Sequence, residues 1–354
     1  MIYSNTNWLD KVSHIAQVGG IETSVLDNGL GRGSRIAWIN TGSGLRFKVV
    51  LDRAMDIAEA SYNQHNLSWI SQLGITPPQS LADRGASWLK TFGGGLLVTC
   101  GLTHIGGAEE DEYGARGLHD QISNTSAEII QIKQPDIING DREMFIVGLV
   151  KQGHPLGTNL QMKRTIRCTL GEPTIHITDE IVNVGNIDTP HMILYHFNFG
   201  YPFIDEGTEL IWSGKWTPRE KGEANKIFKE GNPFKICPSP LEDHKGAGEE
   251  AVFIDIVSDN ENKSRCGIKN KQLGIGLSLT FDKRQLPWLI NWQHWGKGEY
   301  VTGLEPSTNP PTGQKSARES NELIVLKPKE SKKYELTISV SDNLEEFNKQ
   351  LTNS

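Results

Sequence analysis

No stretch of this chain approaches the ~20 consecutive apolar residues that span a bilayer. Met1–Gly20 has neither the basic start nor the apolar run of a signal peptide. The expectation is a soluble, cytoplasmic protein with no membrane partner, in which the sequons at Asn66 and Asn124 are chance matches. Basic clusters are missing as well. Lys+Arg number 36 against 43 Asp+Glu, net −7, with no local run of basic residues, which argues against a nucleic-acid partner. Cysteine is sparse: Cys100, Cys168, Cys237 and Cys266 are far apart and form no C-x-x-C. They are expected as reduced, buried thiols, neither a disulfide framework nor a metal site. Gly93-Gly94-Gly95 is not followed by the Lys-Ser/Thr of a phosphate-binding loop, and Gly29-Leu30-Gly31-Arg32-Gly33 opens no helix. Both read as turns or close backbone approaches. No metal and no cofactor is implied.

Long helical periodicity is scarce too. What recurs instead is a series of short, strand-like runs bounded by turn residues, among them Leu96–Cys100, Leu160–Leu170, Thr174–Val184, Met192–Phe199, Trp288–His294, Tyr300–Leu304 and Lys333–Ser341. That density predicts an all-β sandwich or barrel. Residues 165–170 and 334–340 alternate polar and apolar, as half-buried antiparallel strands do. Helix is expected at Asn7–Gln17, where Trp8, Val12 and Ile15 share a face, and at Leu344–Leu351. Arg219–Lys235 and Ser239–Gly248 read as polar surface loops. The organisation expected is an N-terminal extension (1–20), one β domain (21–345) and a C-terminal tail (346–354).

Three short segments carry proton-handling side chains. In Met192–Phe199 the strand period puts Leu194, His196 and Asn198 on one face and Ile193, Tyr195, Phe197 and Phe199 on the other. An imidazole beside a carboxamide, backed by a packing face, can donate to a substrate oxygen near neutral pH. His191 falls on the opposite face, which speaks against a metal-binding histidine pair. Glu305 follows Tyr300–Leu304 and precedes Pro306, so it is expected at a strand exit. Trp288, Ile290, Trp292 and His294 share a face, and tryptophan packs well on the C–H side of a sugar ring; Trp69, Trp88, Trp292 and Trp295 are candidates for that role. His119 follows the acidic loop 109–112 and by itself reads as an ordinary loop histidine, as does His104. Arg53, between Asp52 and Asp56, reads either as a salt-bridged structural residue or as a hydroxyl donor.

In their order along the chain, Leu51-Asp52-Arg53-Ala54-Met55-Asp56-Ile57, residues 94–102, Gly117-Leu118-His119, Tyr195-His196-Phe197-Asn198 and Gly303-Leu304-Glu305-Pro306 resemble the aldose 1-epimerase (galactose mutarotase) superfamily, and within it a bacterial branch catalogued as a domain of unknown function. The resemblance covers roughly residues 20–345. It implies a large antiparallel β-supersandwich with an open concave site for a monosaccharide. It also implies catalytic roles for His196 (general acid on the ring oxygen), Glu305 (general base on the anomeric hydroxyl) and His119 (orienting the sugar). Arg53, Asn198, Trp292, His294 and Trp69 become substrate-binding candidates. Two departures stand out: Asp120-Gln121 follow His119 where the family has glycine, and no residue matches the hydroxyl-binding aspartate, with Asp205, Asp243 and Asp255 as unsupported candidates. The alternatives are a non-catalytic sugar-binding module, a lyase or hydrolase, and a sugar-phosphate epimerase if Arg53, Arg84 and Arg116 converge. Oligomeric state is left unassigned.

Overall fold

The computed structural model describes residues 10–352. Among them two large antiparallel sheets dominate, one of twelve strands and one of eight. The front sheet runs in the spatial order Gly20–Val25, Arg35–Asn40, Leu45–Val50, Asp56–Tyr62, Leu97–Leu102, Thr189–Gly200, Glu299–Ser307, Trp288–Gly296, Glu250–Ile256, Gly214–Pro218. Its centre is therefore built from segments far apart in the chain. The back sheet runs Glu209–Ile211, Lys263–Asn270, Ile275–Asp282, Ser331–Ser341, Thr174–Asn183, Asn159–Thr169, Glu143–Gly153, Glu128–Lys133.

The back sheet shows the expected alternation: along Asn159–Thr169 and Thr174–Asn183 every second residue is buried, because one face packs and the other meets water. The Thr189–Gly200 strand differs, with nearly every residue buried. Its two faces nevertheless serve different ends. Ile193, Tyr195, Phe197 and Phe199 join the main hydrophobic cluster between the sheets, while Met192 and Leu194 join a smaller one on the far side of the front sheet with Val98, Cys100 and Ile290. All four cysteines are buried and free.

A charged knot ties the sheets together. Arg164, fully buried on the back sheet, donates through Nε and Nη2 to both carboxylate oxygens of Asp179 (2.9 and 2.6 Å) and through Nη1 to Asp56 Oδ1 and the Ala54 carbonyl (3.0 Å each). Asp56 also accepts from the Thr99 amide and hydroxyl (3.1 and 2.6 Å), and Asp179 from the Tyr195 hydroxyl (2.8 Å). The guanidinium bridges the two sheets, and Tyr195 is drawn inward by the same knot.

Three expectations are corrected. Of the helix expected over Asn7–Gln17, residues 7–9 lie outside the described residues; the described part holds a 3-10 turn at Ile15–Gln17, capped by His14, before the first strand begins at Gly20. Residues 346–352, expected as a tail beyond the domain, belong to the helix that was expected over Leu344–Leu351 and is present as Leu344–Thr352. It carries Phe347, 1% exposed, onto the back sheet, where the absence of a side chain at Gly276 leaves room for its ring. Glu305 is not at a strand exit. The strand continues to Ser307, with Pro306 paired to Leu289 on one side. On the other side the pairing to Thr189–Gly200 skips from Leu194↔Ser307 to Phe197↔Leu304, and a residue without an N–H is tolerated in that gap. Among the described residues no helix is long and apolar enough to cross a membrane.

Removing the Arg164 side chain strands two buried carboxylates. Arg164→Ala is expected to lower unfolding free energy by about 3–5 kcal/mol, measured by urea denaturation; a loss under about 1 kcal/mol would contradict the bridging role.

Candidate active site

The strand register assembles the centre of the site. Val98 is opposite His196, and Ile290 is opposite both Glu305 and Phe253. Counting inward from Leu194↔Ser307 and Phe197↔Leu304 sets His196 directly across from Glu305. One row of side chains thus crosses five strands in the order Val98, His196, Glu305, Ile290, Phe253. The last four of these line a cleft of about 590 Å3 on the face away from the intersheet core. His196 Nε2 stands 3.3 Å from Glu305 Oε1.

Two residues along each strand, the next row reads Asn198, Gly303, Trp292, Ala251. The Glu305 carboxylate leans back over Gly303: a Cβ there would collide with Glu305 Oε1, so glycine makes its place. Aromatic rings wall the pair. The His196 ring lies 5.3 Å from Phe92 and 5.4 Å from Trp292, centroid to centroid, and Phe92 stacks on Trp88 at 4.4 Å. Trp69 closes the same side, 6.4 Å from Trp292. Its loop is held by the Trp69 amide on the Asn198 carbonyl (3.1 Å) and by the tight passage at Gly94 (φ +71°), where a Cβ would lie 2.6 Å from the Trp69 carbonyl. The triple-glycine stretch is thus the close backbone approach the sequence suggested.

His119 enters from a loop. It and Asp120 are both left-handed (φ 57° and 59°), a costly pair of conformations for residues with a Cβ. The Asp120 carboxylate fastens them, accepting from the Thr103 amide (3.0 Å) and hydroxyl (2.7 Å), Gln152 Nε2 (2.7 Å) and the Gln121 amide (2.9 Å). Asparagine and aspartate tolerate this region better than most residues, which accounts for aspartate where glycine was expected. His119 Nδ1 accepts from the Gly106 amide (3.3 Å), so the neutral ring carries its proton on Nε2. The ring packs edge-on to Trp88 (4.9 Å) and stands 6.2 Å from His196.

Burial sets the electrostatics. It pushes His196 down to about 3, against an opposing pull from the Asn198 side chain. It does the same to His119, also to about 3, with His196, His104 and Arg219 adding to the effect. Glu305 is driven well above the usual carboxylate range by burial and then by Glu249, with Arg219 acting in the other direction. His196 Nδ1 and Glu305 Oε1 are buried without a hydrogen-bond partner. Buried polar atoms are rarely left so, and these two belong to side chains that sit side by side on the cleft floor. At the rim, Arg219 pairs with Glu249 (2.9 Å) and with Glu220, and Glu249 also accepts from Trp292 Nε1 (2.7 Å). His294 binds the Gly248 carbonyl through Nδ1 (2.6 Å) and faces Glu299 (3.5 Å).

The structure therefore brings His196, Glu305, His119, Trp69, Trp88, Trp292 and His294 to one cleft. It does not bring Arg53 or Asn198 there. Arg53 lines a separate cavity of about 320 Å3 and spends its guanidinium on the Ser123, Thr76 and Thr91 carbonyls and the Thr76 hydroxyl. Asn198 is fully buried beneath the floor, donating to the Gly95 and His196 carbonyls. Trp295 is sealed in the core. Arg116 pairs with Glu109 and Asp111 instead of joining Arg53 in a phosphate clamp. Asp243 and Asp255 pair with Lys226 and Lys283, Asp205 caps a turn, and none of the three lines the cleft. Sequence reasoning missed Phe92, Phe253, Glu249 and Arg219; Arg219, Gly246 and Ala247 come from the two segments read as surface loops. The available signal was Ile227, Phe228 and Phe234, apolar side chains in a largely polar run that pack on the core and mark a loop folded back on the protein. Among the described residues no three His, Cys, Asp or Glu side chains group as a metal site.

A family profile described as a domain of unknown function, DUF4432, matches residues 31–340. The chain belongs to that family. Its structure is similar to that of a Klebsiella pneumoniae protein provisionally assigned as an aldose 1-epimerase, at 24% identity and TM-score 0.83, covering 94% of this chain and 86% of that one. A galactose mutarotase-like protein from Clostridium acetobutylicum matches with TM-score 0.66 and 13% identity over 92% and 99% of the two chains. A galactose 1-epimerase from Lactobacillus acidophilus matches with TM-score 0.57 and 11% identity over 91% and 98%. No curated protein matches in sequence. This member of the DUF4432 family thus has the galactose mutarotase-like fold, the antiparallel supersandwich that its motifs implied.

Asp120→Ala is expected to strand the Thr103 and Gln152 donors and release the left-handed pair, costing about 2–3 kcal/mol. Urea unfolding measures it, and an unchanged midpoint would contradict the fastening role.

Proposed function

We propose that the protein is an aldose 1-epimerase, interconverting the α and β anomers of a free sugar by general acid–base ring opening. The observation that carries this reading is the pairing of His196 and Glu305 at 3.3 Å, with buried, unpartnered polar atoms, on the floor of an aromatic cleft. Glu305 takes the proton of the anomeric hydroxyl, and the freed electrons form the C1=O1 double bond. The C1–O5 bond breaks as His196 gives its proton to O5. Rotation about C1–C2 and reversal of the same transfers closes the ring to the other anomer. His119, neutral and with Nε2–H free of the Gly106 contact, holds a sugar oxygen in place. Trp292 and Trp69 pack on the ring's C–H faces.

The burial-driven shifts fit this chemistry through a proton count. Burial favours a neutral His196 and a protonated Glu305, the placement in which the empty pair holds one proton. Ring opening starts from the other placement of that proton, imidazolium and carboxylate, and ends in the first. The pair thus alternates between a neutral form and an ion pair of the same net charge, so the cleft never holds an uncompensated ion. A glycoside hydrolase would want two carboxylates flanking the bond. Glu249 and Glu299 do line the cleft, but Glu249 is engaged by Arg219 and Trp292, and Glu299 faces His294.

General acid and general base steps each contribute about 10²–10⁴-fold. His196→Asn and Glu305→Gln are each expected to cut kcat/KM for anomer exchange by at least about 10²-fold with the fold retained, followed by polarimetry on freshly dissolved α-sugars. Full activity in either variant would overturn the assignment.

A further inference from the structure

The cleft's side chains are poorly suited to a fully hydroxylated hexose. Among the described residues no asparagine, glutamine, serine, threonine, tyrosine, lysine or aspartate lines it. Beyond His196 and Glu305 on the hemiacetal, His119 on one further sugar oxygen and the tryptophan indoles, its polar side chains are Arg219, Glu249, His294 and Glu299. These contact one another, Glu220, Trp292 and the Gly248 carbonyl. Little is left to pair with the remaining ring hydroxyls. An unpaired hydroxyl held against hydrocarbon loses its water without compensation.

Ring orientation says where the deficit falls. With His196 on O5 and Glu305 on O1, the exocyclic carbon on C5 lies on the His196 side of the ring. There the wall is formed by Phe92 and Trp292, 5.3 and 5.4 Å from the imidazole, with Trp88 stacked behind Phe92 and the Trp292 indole N–H given to Glu249. The Trp88 indole N–H is already given to Ser123 (3.1 Å), and phenylalanine has no donor. A methyl group suits that wall and a hydroxymethyl group does not. The rim charges pair internally, Arg219 with Glu249 and Glu220, so among the described residues no free arginine or lysine at the cleft awaits a sugar phosphate or uronate.

We propose that the substrate is a 6-deoxyhexose, its methyl group seated against Phe92 and Trp88. The inference rests on the mutarotase reading and adds the substrate class to it. An apolar pocket discriminates against an added hydroxyl by up to about 10²-fold.

Anomer-exchange NMR on matched pairs tests it: D-fucose against D-galactose, L-fucose against L-galactose, L-rhamnose against L-mannose, with galacturonate and galactose 6-phosphate alongside. The expected result is at least a tenfold higher kcat/KM for the deoxy member of one or more pairs, roughly the lower part of that range. Turnover with no deoxy preference, or fastest on either anion, overturns the substrate assignment and leaves the mutarotase reading standing. Absence of turnover on every sugar overturns the mutarotase reading itself. Tryptophan-fluorescence titration of the same pairs then decides the cleft's preference: tighter binding of the deoxy member upholds it, and equal or weaker binding overturns it.

Discussion

The site depends on the direction in which Tyr195 points. Its hydroxyl is held by Asp179, Asp179 by Arg164, and Arg164 by Asp56 on the opposite sheet. Side chains along a strand alternate faces, so a tyrosine anchored inward obliges the next residue, His196, to face outward into the cleft. A slip of one residue would put the imidazole in the dry intersheet core and a phenol in the cleft. Apolar packing alone specifies such a register weakly on a strand buried on both faces. The charged knot supplies the direction that hydrophobic pattern cannot.

From that register the rest follows by geometry. The neighbouring strand offers Glu305 opposite His196, Gly303 leaves the volume its carboxylate occupies, and Pro306 sits where the ladder is already open. The walls are aromatic and largely close the pair off from water. Water exclusion pushes each group towards its neutral form, the imidazole down and the carboxyl up, which is the condition the proposed proton exchange between them needs. The same dryness underlies the proposed preference for sugars with an apolar edge.

Much of this was legible in the chain. The alternation in Met192–Phe199 named both faces of the central strand, and strand density with few helices named the fold class. The opposition of His196 to Glu305 was not legible, because register between strands distant in sequence is set by turns and packing elsewhere. Arg53 misled because an arginine among aspartates looks available. Its partners, the Ser123, Thr76 and Thr91 carbonyls, come from loops whose convergence no local pattern records. Pro306 misled because proline ordinarily stops a ladder, and the gap that admits it exists only in the assembled sheet. The loop carrying Arg219 read as solvent-facing because its composition is polar, although it folds back through Phe228 to form the cleft's rim.

The fold places this chain among mutarotase-like proteins, yet a shared scaffold hosts different activities, and the chemistry has to be argued from the site. The central claim is that His196 is kept neutral by burial and shares a single proton with Glu305. Nitrogen-15 NMR of histidine-labelled protein, with His196 assigned by comparison with His196→Asn, reads the protonation state directly. A depressed histidine stays neutral as pH falls through its ordinary value of about 6.5, so the account predicts unprotonated His196 from pH 8 down to pH 5, roughly the range over which a free imidazole would titrate. An imidazolium signal appearing near pH 6.5 would contradict it.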